Sequence, residues 1–167
     1  MIKFLFGLVI GILSVPAAIY LCFWLGYVPV STKAGPLPFE RKLAGMALEK
    51  WIEKEAPKDS PVQATEPNFL AGAKIYVENC AVCHGTTAES ESVIAKGMFP
   101  EPPPLLHGKG VTDDPAGETY WKVANGIRLT GMPGFSGSLT EEQMWQVSQF
   151  LANADKLPQS VKDELAK

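Results

Sequence analysis

The sequence predicts an all-α protein in two parts, an apolar N-terminal helix and a small helical domain. Three observations lead there. No charged residue occurs from Phe4 to Val30, a run longer than the ~20 residues that a helix needs to cross a bilayer. Beyond it, apolar residues recur mostly at three- and four-residue intervals, as one helical face requires. At the centre stands Cys80-Ala81-Val82-Cys83-His84-Gly85. Positions i and i+3 share a helical face, so both sulfurs can meet the two vinyl groups of one porphyrin, with the His84 imidazole at the iron. The C-x-x-C-H spacing therefore predicts one covalent haem c. A bare redox C-x-x-C would want a βαβ setting and a zinc site a second ligand pair, and the sequence offers neither.

Residues 1–30 read as a transmembrane signal-anchor helix. Trp24 and Tyr27 sit near its outer end, as interfacial aromatics do. Lys3 precedes the run and little positive charge follows it closely, which places the N-terminus in the cytoplasm. Pro16 and the glycines at 7, 11 and 26 are tolerated in a spanning helix. A cleaved signal peptide with Val15-Pro16-Ala17 at the cut is the competing reading. The apolar run continues through Ile19 to Leu25, however, and that favours an uncleaved anchor. Cys22 follows Leu21 rather than a small residue, so it reads as an inert cysteine, not a lipidation site. Covalent haem attachment needs reduced cysteines outside the cytoplasm, the side to which this anchor delivers the chain. The expected location is the bacterial inner membrane, with the haem domain in the periplasm.

Residues 31–66 read as a linker. Ser31 to Pro38 is a Gly/Pro-rich exit from the membrane. Within 39–55, Phe39, Leu43, Ala44, Ala47, Leu48, Trp51 and Ile52 give a moderately amphipathic spacer helix, resting on the haem domain or on the membrane surface. A docking helix anchored by Trp51 is the alternative. Ala56 to Pro67 holds three prolines and closes the segment as a semi-rigid boundary.

The haem domain is expected over 67–157. Asn68 to Asn79 has helical spacing with Asn68 as N-cap, and Asp114 to Gly126 reads as a helix ending at glycine. Thr140-Glu141-Glu142-Gln143 is a capping-box pattern opening a last helix with Met144, Val147, Phe150 and Leu151 as its apolar stripe. Pro100 to Pro104 reads as a stiff loop, 88–96 as an unremarkable polar stretch, and 158–167 as a polar tail. Tyr120 and Trp121 read as pocket or core surface, and Arg128 as solvated.

For a second axial ligand the chain offers few groups, because it holds two histidines and five methionines. Met132 stands in Thr130-Gly131-Met132-Pro133-Gly134-Phe135, an irregular loop that can present a thioether to iron. Met98 is its rival, Met144 reads as core, and Met1 and Met46 lie outside the domain.

Gly72-Ala73-Lys74-Ile75-Tyr76 followed closely by the C-x-x-C-H motif resembles the first helix of class I cytochromes c. In that family a small residue, and an aromatic one a turn later, meet the C-terminal helix at close approach. The resemblance covers about residues 67–157 and implies the all-α cytochrome c fold around one haem. It supports Met132 as ligand through its spacing from His84. Pro102-Pro103-Pro104-Leu105-Leu106-His107-Gly108 resembles the family's Pro-x-Leu-His-Gly segment. By that match Pro104 supplies the carbonyl that orients His84, Leu106 packs on the haem and His107 is structural, with Pro103 left open by the proline run.

Residues 67–167 carry 8 Lys/Arg against 12 Asp/Glu, which argues against nucleic acid as a partner. Iron ligated by both His84 and Met132 leaves no position for a substrate, and no paired-acid, nucleophile or phosphate-binding constellation stands elsewhere. The expected function is electron transfer at the membrane, without catalysis. The resemblance implies a quinol–cytochrome c reductase, a terminal oxidase or a dehydrogenase as redox partner. A cytochrome subunit of a larger oxidoreductase complex is the alternative reading. A haem-based ligand sensor or peroxidase would require Met132 off the iron.

A domain of about ninety residues is small for a self-sufficient core, so the haem must supply much of the buried apolar surface. Without haem the domain should be largely unfolded. Amide hydrogen exchange of the haem-free chain tests this, and strong protection there would refute it.

Overall fold

A computed structural model describes residues 2–86, 92–107 and 114–166 of the chain. It divides into two compact units, Met1–Phe39 and Glu40–Lys167.

The first unit is built on helix α1, Ile2–Trp24, with Pro16 inside it. Its most apolar window has a mean hydropathy of 2.3, and none of that window is buried. It is long and apolar enough to cross a membrane. The helix closes at Gly26, whose φ of 73° suits glycine. There the Tyr27 N–H donates to the Cys22 carbonyl and the Gly26 N–H to that of Phe23, which satisfies two terminal acceptors.

The second unit holds α2 (Glu40–Glu55), α3 (Glu66–Asn79), α4 (Ala81–His84), α5 (Val93–Lys96), α6 (Ala116–Asn125), α7 (Glu141–Ala152) and α8 (Gln159–Leu165). Among the described residues there is no strand, so the fold is all-α. Its centre is the crossing of α3 over α7 at Gly72. A Cβ there would lie 2.7 Å from the Phe150 Cβ and would collide with the Gln146 carbonyl. One turn on, Tyr76 is fully buried, with its ring centroid 5.7 Å from that of Phe150. Helix α6 packs along α7, where Tyr120 stacks on Trp145 with centroids 4.2 Å apart. The capping box of α7 forms as the sequence predicts. Thr140 Oγ1 accepts from the Gln143 N–H at 3.2 Å, and Gln143 Oε1 accepts from the Thr140 N–H at 2.8 Å.

Several elements differ from expectation. Helix α3 starts at Glu66 with Thr65 as N-cap, because Pro67 fits the first turn, where no N–H is needed. Asn68 lies inside the helix and donates its side-chain amide to the Gln63 carbonyl. Helix α6 starts at Ala116 after Pro115, and ends as predicted at Gly126. The expected polar tail over 158–167 folds back as α8. Leu157, Val161 and Leu165 sit at four-residue steps and are all buried, with Val161 at 0% exposure. Polar neighbours hid that stripe in the sequence. Of the stretch 88–96, residues 88–91 lie outside the described residues; Ser92 caps the short α5 by accepting from the Ala95 N–H.

The segment read as a linker is part of the second unit from Glu40 onward. Ile52 of α2 is 3% exposed, and Gln149 Nε2 donates to the Val62 carbonyl at 3.0 Å. Leu43, Met46 and Trp51 of α2 are exposed.

The Gly72 crossing yields a stability prediction. Gly72→Ala should cost about 1–3 kcal/mol, because backbone and Cβ atoms crowd the space that a methyl group would need. The urea midpoint of the haem-loaded protein measures it, and an unchanged midpoint would mean that the helices separate freely.

Candidate haem site

The C-x-x-C-H motif forms a single tight turn off the end of α3. The Cys80 N–H donates to the Tyr76 carbonyl at 2.8 Å, so the motif continues the helix. The Cys80 carbonyl then accepts from both the Cys83 N–H (3.0 Å) and the His84 N–H (2.9 Å), which sets the cysteines one turn apart. Gly85 ends the turn at φ 74°. Its carbonyl accepts from the buried Tyr76 hydroxyl at 2.7 Å, pinning the turn to the core.

Cys80, Cys83 and His84 border a cavity of about 290 Å³. Met98, Pro100, Pro102, Pro103 and Leu105 form a second wall, and Thr119, Lys122 and Val123 of α6 a third. Ile127, Gly131, Met132 and Phe135 come from the loop after α6, and Leu48 from α2. Two thiols, an imidazole and a thioether facing one largely apolar space are the donor set that a covalent haem requires, and the residues fit it.

The Pro103 carbonyl lies 2.8 Å from His84 Nδ1 and accepts its proton, which leaves Nε2 with its lone pair available for a metal. This corrects the expected register by one residue. Pro103, not Pro104, orients His84, because each residue of the proline run carries a carbonyl and backbone direction decides which one meets the ring. Leu105 and Leu106 both pack on the buried core, and Leu105 also lines the cavity. Gly108 of that segment lies outside the described residues.

Met132 lines the cavity on a loop with little freedom. The Ile127 N–H donates to the Met132 carbonyl, the Met132 N–H to Thr130 Oγ1, and the Phe135 N–H to the Val123 carbonyl. Gly126 and Gly134 pack backbone on backbone, and a Cβ on either would collide. Met98 also reaches the cavity, its methyl group occupying the space a side chain at Gly131 would need. Both candidate thioethers thus border the cavity. Met144 is buried in the core and Met46 is exposed. His107 is half-buried outside the cavity lining, and Arg128 is exposed.

Sequence reasoning assigned no pocket role to Lys122, Asp114 or Leu48, among others. Lys122 borders the cavity in an ion pair with Asp114, which also lines it. Leu48 does so from α2, where its sequence signal was its place in the apolar stripe of the spacer helix. Burial pushes the Cys80 thiol up to about 12, with the nearby Cys83 adding to the effect. Burial also lowers the His84 imidazole, against the pull of the Pro103 carbonyl. A lowered imidazole is neutral at physiological pH, the state that binds metal.

Burial, and secondarily Cys80, raises the Tyr76 phenol above its ordinary value. Its contribution to stability is therefore whole below the unfolded-state value of about 10 and is lost as pH rises past it toward the folded-state value. Tyr76→Phe should lose about 1–3 kcal/mol at neutral pH by orphaning the Gly85 carbonyl, and should show a shallower alkaline decline. Urea titrations of both haem-loaded proteins from neutral pH to about pH 11 check it; parallel declines would exclude Tyr76 as the titrating group.

The family model for cytochrome C oxidase, cbb3-type, subunit III matches residues 67–151. The thiosulfate dehydrogenase of Thiomonas intermedia (strain K12) is 28% identical over 138 residues, 76% of this chain and 42% of that protein. Cytochrome c6 of Limnospira maxima is 29% identical over 86 residues, 52% of this chain and 92% of that protein. The thiosulfate dehydrogenase of Stutzerimonas stutzeri (strain A1501) is 35% identical over 93 residues, 55% of this chain and 29% of that protein. The chain spans less than half the length of either dehydrogenase.

Proposed function

The chain belongs to the cytochrome C oxidase, cbb3-type, subunit III family, and on that footing we propose that it is a membrane-tethered carrier of single electrons with one haem c. It is a c-type cytochrome, and electron transfer is its function. In the proposed site Cys80 and Cys83 hold the haem, and His84 and Met132 are its axial ligands. The observation that carries this reading is the His84 imidazole, oriented by the Pro103 carbonyl beside both cysteines on one cavity wall.

Haem supplies iron that alternates between ferric and ferrous states, and a soft thioether ligand favours the ferrous one. The protein's own residues do the rest. Pro103 fixes the His84 tautomer and ring plane, so reorganisation on each electron transfer is small. The hydrogen-bonded 127–135 loop holds Met132 in place. The apolar walls keep water from the site.

α1 supports a role as tether, with the N-terminus in the cytoplasm and the second unit in the periplasm. A tether raises the local concentration near membrane redox partners. A quinol–cytochrome c reductase, a terminal oxidase or a dehydrogenase suits a carrier of this kind, and small transient interfaces suit rapid exchange. A second reading, the haem-bearing part of a larger dehydrogenase assembly, is supported by the relatives named thiosulfate dehydrogenase. Co-purification of a stable partner after mild detergent extraction would favour it.

Met132→Ala and Met98→Ala, compared with wild type, test the ligand set. Met132→Ala should abolish the weak red charge-transfer band of the ferric protein, lower the midpoint potential and admit carbon monoxide to the ferrous haem. Met98→Ala should keep the band. The reverse pattern would make Met98 the ligand, and ready carbon monoxide binding by wild type would replace the carrier with a sensor or enzyme.

A further inference from the structure

We propose that α2 is a wall of the haem pocket and that Leu48 is its contact with the porphyrin, a role that rests on reading the cavity as a haem site. Every described lining residue except Leu48 falls inside 67–151, the segment shared with the family. Helix α2 lies outside that segment and adds a further wall to the pocket.

The helix is fastened on both sides of the cavity. At its N-terminal end the Arg41 guanidinium lies 5.6 Å from the centroid of the Phe99 ring, within cation–π range. Phe99 stands between Met98 and Pro100, both of which line the cavity. At its C-terminal end the Glu55 carboxylate accepts from Trp121 Nε1 of α6 at 3.2 Å and from Trp51 Nε1 at 2.8 Å. Trp121 precedes Lys122, part of the α6 wall. Just beyond α2, the Pro57 carbonyl fills the space at Gly117 so completely that a Cβ would overlap it. Between these fastenings Leu48 borders the cavity and Ile52, one turn on, is buried, while Leu43 on the same helix is 61% exposed.

A helix tied to two walls, with a leucine between them, closes that stretch of the pocket against water. Ferric haem carries one more positive charge than ferrous, so a drier and less polar wall disfavours the ferric state and raises the potential. Leu48 is thus assigned a part in setting the potential as well as in packing.

The test uses full-length, haem-loaded protein in detergent, with equilibrium redox titration as the readout. Leu48→Asn should lower the midpoint potential, Leu48→Met should restore it to near wild type, and Leu43→Asn should leave it unchanged. A folded Leu48→Asn protein with the wild-type potential would overturn the proposal, as would an equal shift in Leu43→Asn. Should Leu48→Asn fail to retain haem, Leu48→Ala decides instead, since a smaller side chain also admits water and must lower the potential. Wild-type protein without covalently attached haem would refute the haem reading itself. Normal haem with an unmoved potential would refute only the role of Leu48.

Discussion

The haem-binding turn is positioned by a helix crossing. Gly72 lets α3 approach α7 until backbone meets backbone, an approach that no other residue permits. That approach seats Tyr76 against Phe150, and the Tyr76 hydroxyl in turn holds the Gly85 carbonyl at the end of the C-x-x-C-H turn. Cys83 and His84 on a four-residue helix capped by Cys80 would otherwise have little to fix them, because so short a helix has no stability of its own. Packing energy from the core is thus passed to the site in part through this buried hydrogen bond.

The parts of this chain legible in its sequence were those with local chemistry. The apolar N-terminal helix, the Thr140 capping box and the turn of the C-x-x-C-H motif each depend on near neighbours and each forms, although the helix read over 1–30 ends at Trp24. The failures share a different cause. Pro103 and Pro104 are equivalent locally, and only the approach of His84 from another segment separates them. Leu157, Val161 and Leu165 form a stripe too short and too diluted by charge to stand out, yet they are buried because α3 offers a complementary face. Tertiary context decided both.

The pocket's polarity follows the same logic. Most lining residues are apolar, with Asn79, Thr119, Thr130, Glu101 and the Lys122–Asp114 pair supplying its polar lining. That arrangement suits a ligand that is flat and apolar over most of its area and carries carboxylates at one edge.

In the second unit, α2 joins the family segment through contacts at its margins. The family segment supplies the cysteines, the histidine, the methionines and three walls of the cavity. Helix α2 is joined to it by groups at its margins, a guanidinium over Phe99, a carboxylate on Trp121 and a carbonyl on Gly117. Exposed ion pairs contribute little, but hydrogen bonds between a carboxylate and indole N–H groups are directional. Such contacts fix where the helix sits, while Ile52 supplies the apolar burial that holds it there. A helix attached this way borders the cavity without taking part in the α3–α7 crossing. The potential of the haem can then be adjusted through α2, apart from the machinery that holds the iron.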